Sequence, residues 1–269
     1  MPIITISRDS SSHGKRIAER VANTLGYSCI GPEIVQQAAQ SFDVDQKRLQ
    51  LAVGRAPRFL DSFGSSKERH LALFRAAFFE CMHSDNIVYH GMAGHLFLHD
   101  VPNVMKVRIV ADLEERIREQ MRRKNIGYDE AKALLLRQDQ ERSKWTKMLF
   151  GHDNRDPSLY DIYLNLHNIS VDKAVEIIVD AVRISTNGHR EIMRKMLADM
   201  ALAARVEAKL YEVFSDVEAT VRDGEAFVKV GASLIQESTA YSKAETAVAD
   251  IQGLRRMHLG LTTPGSVPF

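Results

Sequence analysis

The chain opens on a short apolar, β-branched run. Residues 2–7 (Pro-Ile-Ile-Thr-Ile-Ser) read as a buried strand. A polar turn follows, Arg8-Asp9-Ser10-Ser11-Ser12-His13-Gly14. Ile17, Val21 and Leu25 then recur on a helical period up to Gly26, a residue suited to closing a helix. Strand, small-residue turn, helix is the opening of an α/β fold. Helical patterns recur at residues 33–41, 67–83, 112–124, 128–149 and 170–184, and strand patterns at 86–90, 104–110 and 160–164. Asp112 with Glu115 three positions later reads as a capping box. Strands alternating with helices predict a parallel sheet covered on both faces.

Near residue 185 the pattern changes. One long helical stretch covers residues 190–214. Two alternating strands, 217–222 and 226–231, flank Asp223-Gly224, a strong hairpin signal. A helix over 238–250 and a strand over 255–261 complete an α+β unit large enough to stand as a small domain. The division expected is 1–187 and 188–269.

Composition narrows the function classes. The 269 residues carry a net charge of +1, so overall charge does not drive nucleic-acid or membrane binding. No apolar run approaches the roughly 18 residues that span a bilayer, and the first residues lack the layout of a secretory signal. Cys29 and Cys81, the two cysteines, are too few for a disulfide framework and lie in apolar surroundings, as buried thiols do. A cytoplasmic protein is expected.

The turn after the first strand is the strongest local feature. Backbone N–H groups and the positive end of a helix dipole converge there on any anion. Against the phosphate-loop pattern G-x-x-x-x-G-K-[ST], the chain reads Asp9-Ser10-Ser11-Ser12-His13-Gly14-Lys15-Arg16. Gly14 and Lys15 match. Asp9 stands for the first glycine and Arg16 for the Mg²⁺-binding hydroxyl. From spacing alone, a phosphate site and an ordinary polar turn both remain open.

Further segments carry a family resemblance. Ile6-Ser7-Arg8, the serine-rich turn with Gly14, Ile17-Ala18, a strand ending at Gly91, the basic stretch 102–123, Asp139-x-x-Arg142 and Asp156-Pro157-Ser158-Leu159-Tyr160-Asp161 occur in this order. Together, over about residues 1–185, they resemble the cytidylate kinase-like family. The resemblance implies an α/β fold, a P-loop kinase-like parallel sheet flanked by helices, that binds nucleotide and uses ATP with Mg²⁺. In that scheme Arg8, Ser12, His13, Gly14, Lys15 and Arg16 cradle the donor phosphates. Arg118, Arg122 and Arg123 form a lid, with Lys15, Arg118 and Arg122 serving catalysis. Gly91, Asp139 and Arg142 hold the acceptor, a nucleoside monophosphate or a related molecule. Arginine suits both tasks because its fork binds phosphate oxygens bidentately. Gly91-Met92 replaces the family's Gly-Arg, and Gly31-Pro32-Glu33 replaces its Asp-Arg-Glu, so the acceptor site is altered. The alternative is a member that senses nucleotide without turnover.

The second unit is similar to a BON domain at Val217, Val221, Asp223, Gly224, Val228, Val230, Gly231, Ile251, Gly253 and Leu254. That similarity implies a small α+β binding module. It leaves open a homodimer or a protein partner, met through the long helix and this module.

Each feature also has a plainer reading. The arginines of 112–124 form a solvated face by default, and Asp139 with Arg142 has the spacing of a helical ion pair. Trp145 reads as a core anchor before a base-stacking platform. Met193, Met196 and Met200 read first as a packing stripe and second as a dimer seam. His95 and His99 are spaced for a shared metal, but no third ligand supports one, and no metal site is assigned. His13 beside three serines does not make a nucleophile–base pair, which is assembled in space.

Overall fold

The computed structural model describes residues 2–54, 66–185, 188–231 and 237–262. In chain order its elements are β1 (Ile3–Arg8), α1 (Gly14–Leu25), β2 (Ser28–Ile30), α2 (Ile34–Ser41), α3 (Gln46–Gly54), α4 (Ser66–Met82), β3 (Ile87–Tyr89), α5 (Gly94–Phe97), β4 (Val104–Val110), α6 (Leu113–Lys124), α7 (Tyr128–Phe150), β5 (Ile162–Asn165), α8 (Val171–Ile184), α9 (Arg190–Leu210), β6 (Val217–Arg222), β7 (Glu225–Gly231), α10 (Glu237–Val248) and β8 (Arg256–Thr262). Contacts divide the chain into two compact units. One holds Met1–Glu33 and Ser84–Met193. The other holds Ile34–Val53, Pro57–His83 and Arg194–Phe269.

The first unit is built on a five-stranded sheet in the order β2-β3-β1-β4-β5. Every pairing in it is parallel. Strand alternation decides what each face holds. Ile4 and Ile6 of β1, Val88 of β3, and Val107 and Ile109 of β4 pack with Ile17 and Val21 of α1 and Val175, Ile178 and Val182 of α8. Each fully buried aliphatic side chain there contributes about 1.5–3 kcal/mol. Ser7 and Arg108, paired across β1 and β4, alternate to the other face. Trp145 is fully buried and meets Phe97 and Phe150 edge-on or tilted, so it serves as a core anchor.

In the second unit β6 and β7 are antiparallel, and β8 runs parallel to β7. The hairpin turn places both Asp223 and Gly224 at positive φ, 53° and 75°. That conformation matches the twist of the flanking strands. Val217, Ala219, Val228 and Val230 pack on Val206 and Leu210 of α9 and on Ala244 and Val248 of α10. Glu207 lies inside this packing. Its carboxylate accepts the Ala219 N–H at 3.1 Å and pairs with Arg75 of α4 at 2.9 Å. Burial raises its pKa, and Arg75 opposes that rise. Arg69–Glu212 and Arg205–Glu80 are further pairs between α4 and the segment from α9 onward. These ties, with α2 packed on α4, accompany the grouping of Ile34–Val53 and Pro57–His83 with the C-terminal segment, whereas the sequence division placed them in 1–187. The predicted join, residues 186–187, lies outside the described residues.

Several local expectations change. The Asp112–Glu115 capping box does not form. Asp112 makes no side-chain cap bond and pairs with His167, while Glu115 faces His13 at 3.7 Å. Both cysteines are half-buried rather than buried. Cys29 sits on edge strand β2, and Cys81 donates to Gln37 Oε1 at 3.3 Å. Elements β2, α3 and α5 had no counterpart in the periodicity, since three to nine residues carry too few repeats. Met193 is buried, whereas Met196 and Met200 are half-buried.

Arg75→Ala leaves a carboxylate buried without its cation. It is expected to destabilise the protein by about 3 kcal/mol in chemical denaturation. Adding Glu207→Gln is expected to restore most of that loss, and the deficit should shrink as pH falls and Glu207 takes up a proton.

Candidate phosphate and acceptor site

The loop from β1 to α1 lies at the carboxyl ends of the parallel strands, where ligands bind in open α/β sheets. Ser11 and His13 both adopt left-handed backbone, φ 60° and 58°. Such a conformation costs a side-chain-bearing residue about 1–2 kcal/mol. Without glycine at either position, the loop keeps the glycine-like conformation and accepts the strain. Among the described residues, no protein acceptor takes the N–H groups of His13 to Arg16 at the start of α1. An anion is the natural occupant of such a group of donors.

The loop is pinned from outside. Arg108, 2% exposed within β4, bonds Ser7 Oγ at 2.9 Å and pairs with Asp9. Arg116 of α6, 6% exposed, donates from Nε to the Ser10 carbonyl at 2.8 Å, reaches Asp9 at 3.7 Å and pairs with Asp139 of α7. Ser10 N–H points to Asp139 Oδ1 at 3.5 Å, and Ser11 Oγ donates to Gln120 Oε1 at 2.8 Å. Burial raises the Asp9 pKa, an effect opposed first by Arg108 and then by Arg116. At the position of the phosphate loop's first glycine, the chain therefore presents a carboxylate already held by two guanidinium groups.

The residues singled out in the sequence separate into two groups. Arg8, Ser12, His13, Gly14, Asp139 and Arg142 converge on the loop. Ser12 Oγ donates to the Asp9 carbonyl at 2.9 Å. Gly14 is required by close approach, because a Cβ there would lie 2.5 Å from Cδ of Arg8. Arg142 donates to the Arg8 carbonyl at 3.0 Å, so Asp139 and Arg142 face different partners and not each other. Burial, then Arg142 and Arg123, lowers the Arg8 pKa to about 10. Gly91 borders the same region, its missing Cβ space taken by the Tyr89 hydroxyl 2.0 Å away.

The other group faces solvent. Lys15 pairs with Glu19 at 3.6 Å. Arg16 is exposed. Arg118 donates to the Glu114 carbonyl at 3.3 Å, and Arg122 pairs with Glu119. Arg123 is also exposed. On α6 the loop is met by Arg116 and Gln120, beside Glu115 facing His13; Arg116 and Gln120 are the two that bond Ser10 and Ser11. They were missed, although an i, i+4 polar pair beside buried Ile117 was the available signal. Arg108 was missed too; its signal was a lone arginine in an otherwise apolar strand end.

A second cluster adjoins the loop. A cavity of about 100 Å³ is lined by Arg8, His90, Gly91, His95, Arg142 and neighbours. His95, 2% exposed, places Nε2 3.0 Å from the Tyr160 hydroxyl. That hydroxyl also lies 2.7 Å from the Asn154 carbonyl and 3.3 Å from Ser7 Oγ. Burial, then Arg108, Lys106 and His99, lowers the His95 pKa to about 3. His90 is lowered too, by burial and then Arg8. His95 and His99 part company, since His99 stacks on His152.

For phosphates the donors fit. For Mg²⁺ the loop offers little: Ser12 Oγ is bonded to a carbonyl, Asp9 is paired with arginine, and the one unpartnered hydroxyl among the described loop residues, Ser10 Oγ, is buried. A magnesium ion here would be held by phosphate oxygens and water.

His13→Gly should relieve left-handed strain and raise stability by about 0.5–1 kcal/mol, read by denaturation. His95 gives a pH signature. Its folded pKa, about 3, lies below the ordinary 6.5, so the unfolded chain binds the extra proton between those values. Stability should therefore fall as pH drops from 6.5 towards 3, by up to about 1.4 kcal/mol per pH unit. A His95→Gln variant should show a flatter fall.

Comparison with known proteins agrees with this architecture. The model of the Cytidylate kinase-like family matches residues 3–168. No curated protein matches. An uncharacterized protein from Eubacterium ventriosum ATCC 27560 superposes with a TM-score of 0.53 at 17% identity, covering 69% of this chain and all of that one. A shikimate kinase from Bacteroides thetaiotaomicron reaches 0.44 at 11% identity, covering 68% and 99%. TT1252 from Thermus thermophilus reaches 0.42 at 17% identity, covering 70% and 98%. With its match spanning more than half of the sequence and its parallel sheet in place, this chain belongs to the cytidylate kinase-like family.

Proposed function

We propose that the protein binds a nucleoside triphosphate, ATP with Mg²⁺, on the β1–α1 loop and transfers its terminal phosphoryl group to an acceptor held beside Arg8 and Arg142. The observation that carries this reading is the strained loop. Ser11 and His13 stay left-handed without being glycine. Such strain persists where surrounding structure imposes it, and it gathers at functional sites. Phosphoryl transfer asks for position and positive charge more than for covalent chemistry. Arg8 and Arg142 supply charge: neither forms an ion pair among the described residues, although Asp139 and Asp9 lie near enough to favour the charged form of Arg142. Among the expected lid arginines, Arg123 lies near enough to Arg8 to lower its pKa.

A second reading is nucleotide sensing without turnover, passed to a partner or a second copy through the BON-like segment from α9 onward. Lys15 favours it. Its side chain is 64% exposed and pairs with Glu19, away from the role a phosphate-loop lysine plays.

Titration calorimetry with Mg·ATP and transfer of labelled γ-phosphate to CMP, dCMP, UMP, AMP and GMP separate the two readings. Binding with transfer supports a kinase; binding without transfer to these nucleotides or to small hydroxylated anions supports a sensor; no binding sinks both. In a kinase, Arg142→Ala should lower transfer by about 100-fold while ATP affinity stays within about twofold. Lys15→Ala should have a small effect if the exposed position of Lys15 persists in the complex.

A further inference from the structure

The cavity beside the loop carries more information than its charge. Tyr160 has one hydroxyl proton and three neighbours. The Asn154 carbonyl, at 2.7 Å, can only accept, so the Tyr160 proton goes there. The other two neighbours must then donate to the Tyr160 oxygen. Ser7 Oγ, at 3.3 Å, can do so, because it already accepts from Arg108 Nη1 at 2.9 Å and its own proton is available. His95 Nε2, at 3.0 Å, must therefore carry the imidazole proton. The ring is neutral, being buried beside Arg108 and Lys106. Its Nδ1 is left as a lone-pair acceptor with no protein partner among the described residues, on a side chain that lines the cavity. His90 Nδ1, also buried, has no hydrogen-bond partner among the described residues either.

The cavity thus combines two guanidinium groups with two neutral imidazoles. The guanidiniums select an oxyanion. A lone pair selects a group that donates a hydrogen, such as a hydroxyl, and repels a bare phosphate oxygen. The volume, about 100 Å³, lies well below the roughly 300–1,000 Å³ of pockets that enclose larger organic ligands. Met92 stands where an acceptor-phosphate arginine was expected.

We infer that the acceptor is a small hydroxylated oxyanion, its anionic end on Arg8 and Arg142 and its hydroxyl hydrogen-bonded to His95 Nδ1, rather than a nucleoside monophosphate. The inference rests on the phosphoryl-transfer reading above. In the step, the acceptor oxygen forms a bond to the γ-phosphorus. The bond from that phosphorus to the β,γ-bridging oxygen breaks, and its electron pair leaves with ADP. The hydroxyl proton passes to His95 Nδ1 and then to water. Transfer through a loose transition state delays the proton until the new bond has made it acidic, so a weakly basic imidazole suffices. Tyr160 is a positioning residue, acting through His95 by holding its tautomer.

The test has two parts. Long-range ¹H–¹⁵N spectra of the wild-type protein at pH 7 should show His95 protonated on Nε2 and bare on Nδ1. Tyr160→Phe should give mixed tautomers. ADP release from Mg·ATP should be stimulated by glycerate or by glycerol 3-phosphate more than by CMP, and His95→Gln should lower that stimulation at least tenfold. His95 protonated on Nδ1 in the wild type overturns the inference. So does stimulation by CMP above both small anions, or bound ATP with no ADP release for any of the three. Failure of ATP to bind in calorimetry is a separate result that removes the transfer reading itself.

Discussion

The site depends on four charged side chains that hold one turn. Asp9 and Asp139 are bridged by Arg116, and Arg108 holds Asp9 from the sheet. Asp9 belongs to the turn itself, and Asp139, Arg116 and Arg108 come from α7, α6 and β4, so the turn between β1 and α1 is fastened to three other elements. The fastening balances a local cost. Two side-chain-bearing residues, Ser11 and His13, are kept left-handed, at about 1–2 kcal/mol each. A turn with glycines would adopt this path at little strain. Here tertiary ion pairs and the buried Ser12 hydroxyl replace glycine's freedom as the reason the path is followed.

The same arrangement divides the site's arginines by task. Arg108 and Arg116 are nearly inaccessible and already bonded to carboxylates or carbonyls, so they shape the loop. Arg8 and Arg142 make no ion pair among the described residues; burial lowers the pKa of both, Arg142 lowers that of Arg8 further, and the carboxylates of Asp139 and Asp9 oppose the fall at Arg142. Buried positive charge only partly offset by carboxylates is costly by itself and becomes favourable beside an anion. The neutral histidines complete the contrast. Burial beside arginines keeps His95 and His90 uncharged, so they add hydrogen-bonding direction without adding charge.

The legible part of this protein was periodic. Ile17, Val21 and Leu25, or Val217, Ala219 and Val221, announce their element because burial repeats with the geometry of the backbone. The hairpin at Asp223-Gly224 was equally readable, since the two residues tolerate positive φ. Among site residues, Arg8, Gly14, Asp139 and Arg142 were found through motif order. Lys15, Arg118 and Arg122 were named by the same route, yet they lie in solvent with acidic or carbonyl partners on their own helices. A motif fixes spacing along the chain, whereas the direction of a long side chain follows from what surrounds it. The Asp112–Glu115 pair shows this too, because His167 and His13 compete successfully for the two carboxylates.

Sequence by itself determined the alternation of strands and helices, the loop after β1, and the small C-terminal αββαβ order, all of which follow from local periodicity and turn chemistry. Only the tertiary structure decided the strand order β2-β3-β1-β4-β5, the grouping of Ile34–Val53 and Pro57–His83 with the C-terminal segment, and the partners of Asp9, Asp139 and His95. The physical reason is range. Hydrophobic periodicity is written in neighbours three or four residues apart. An ion pair between Arg116 and Asp9, or a tautomer set by Tyr160 on His95, joins residues about 65 to 107 positions apart in sequence, and exists only after the chain has packed.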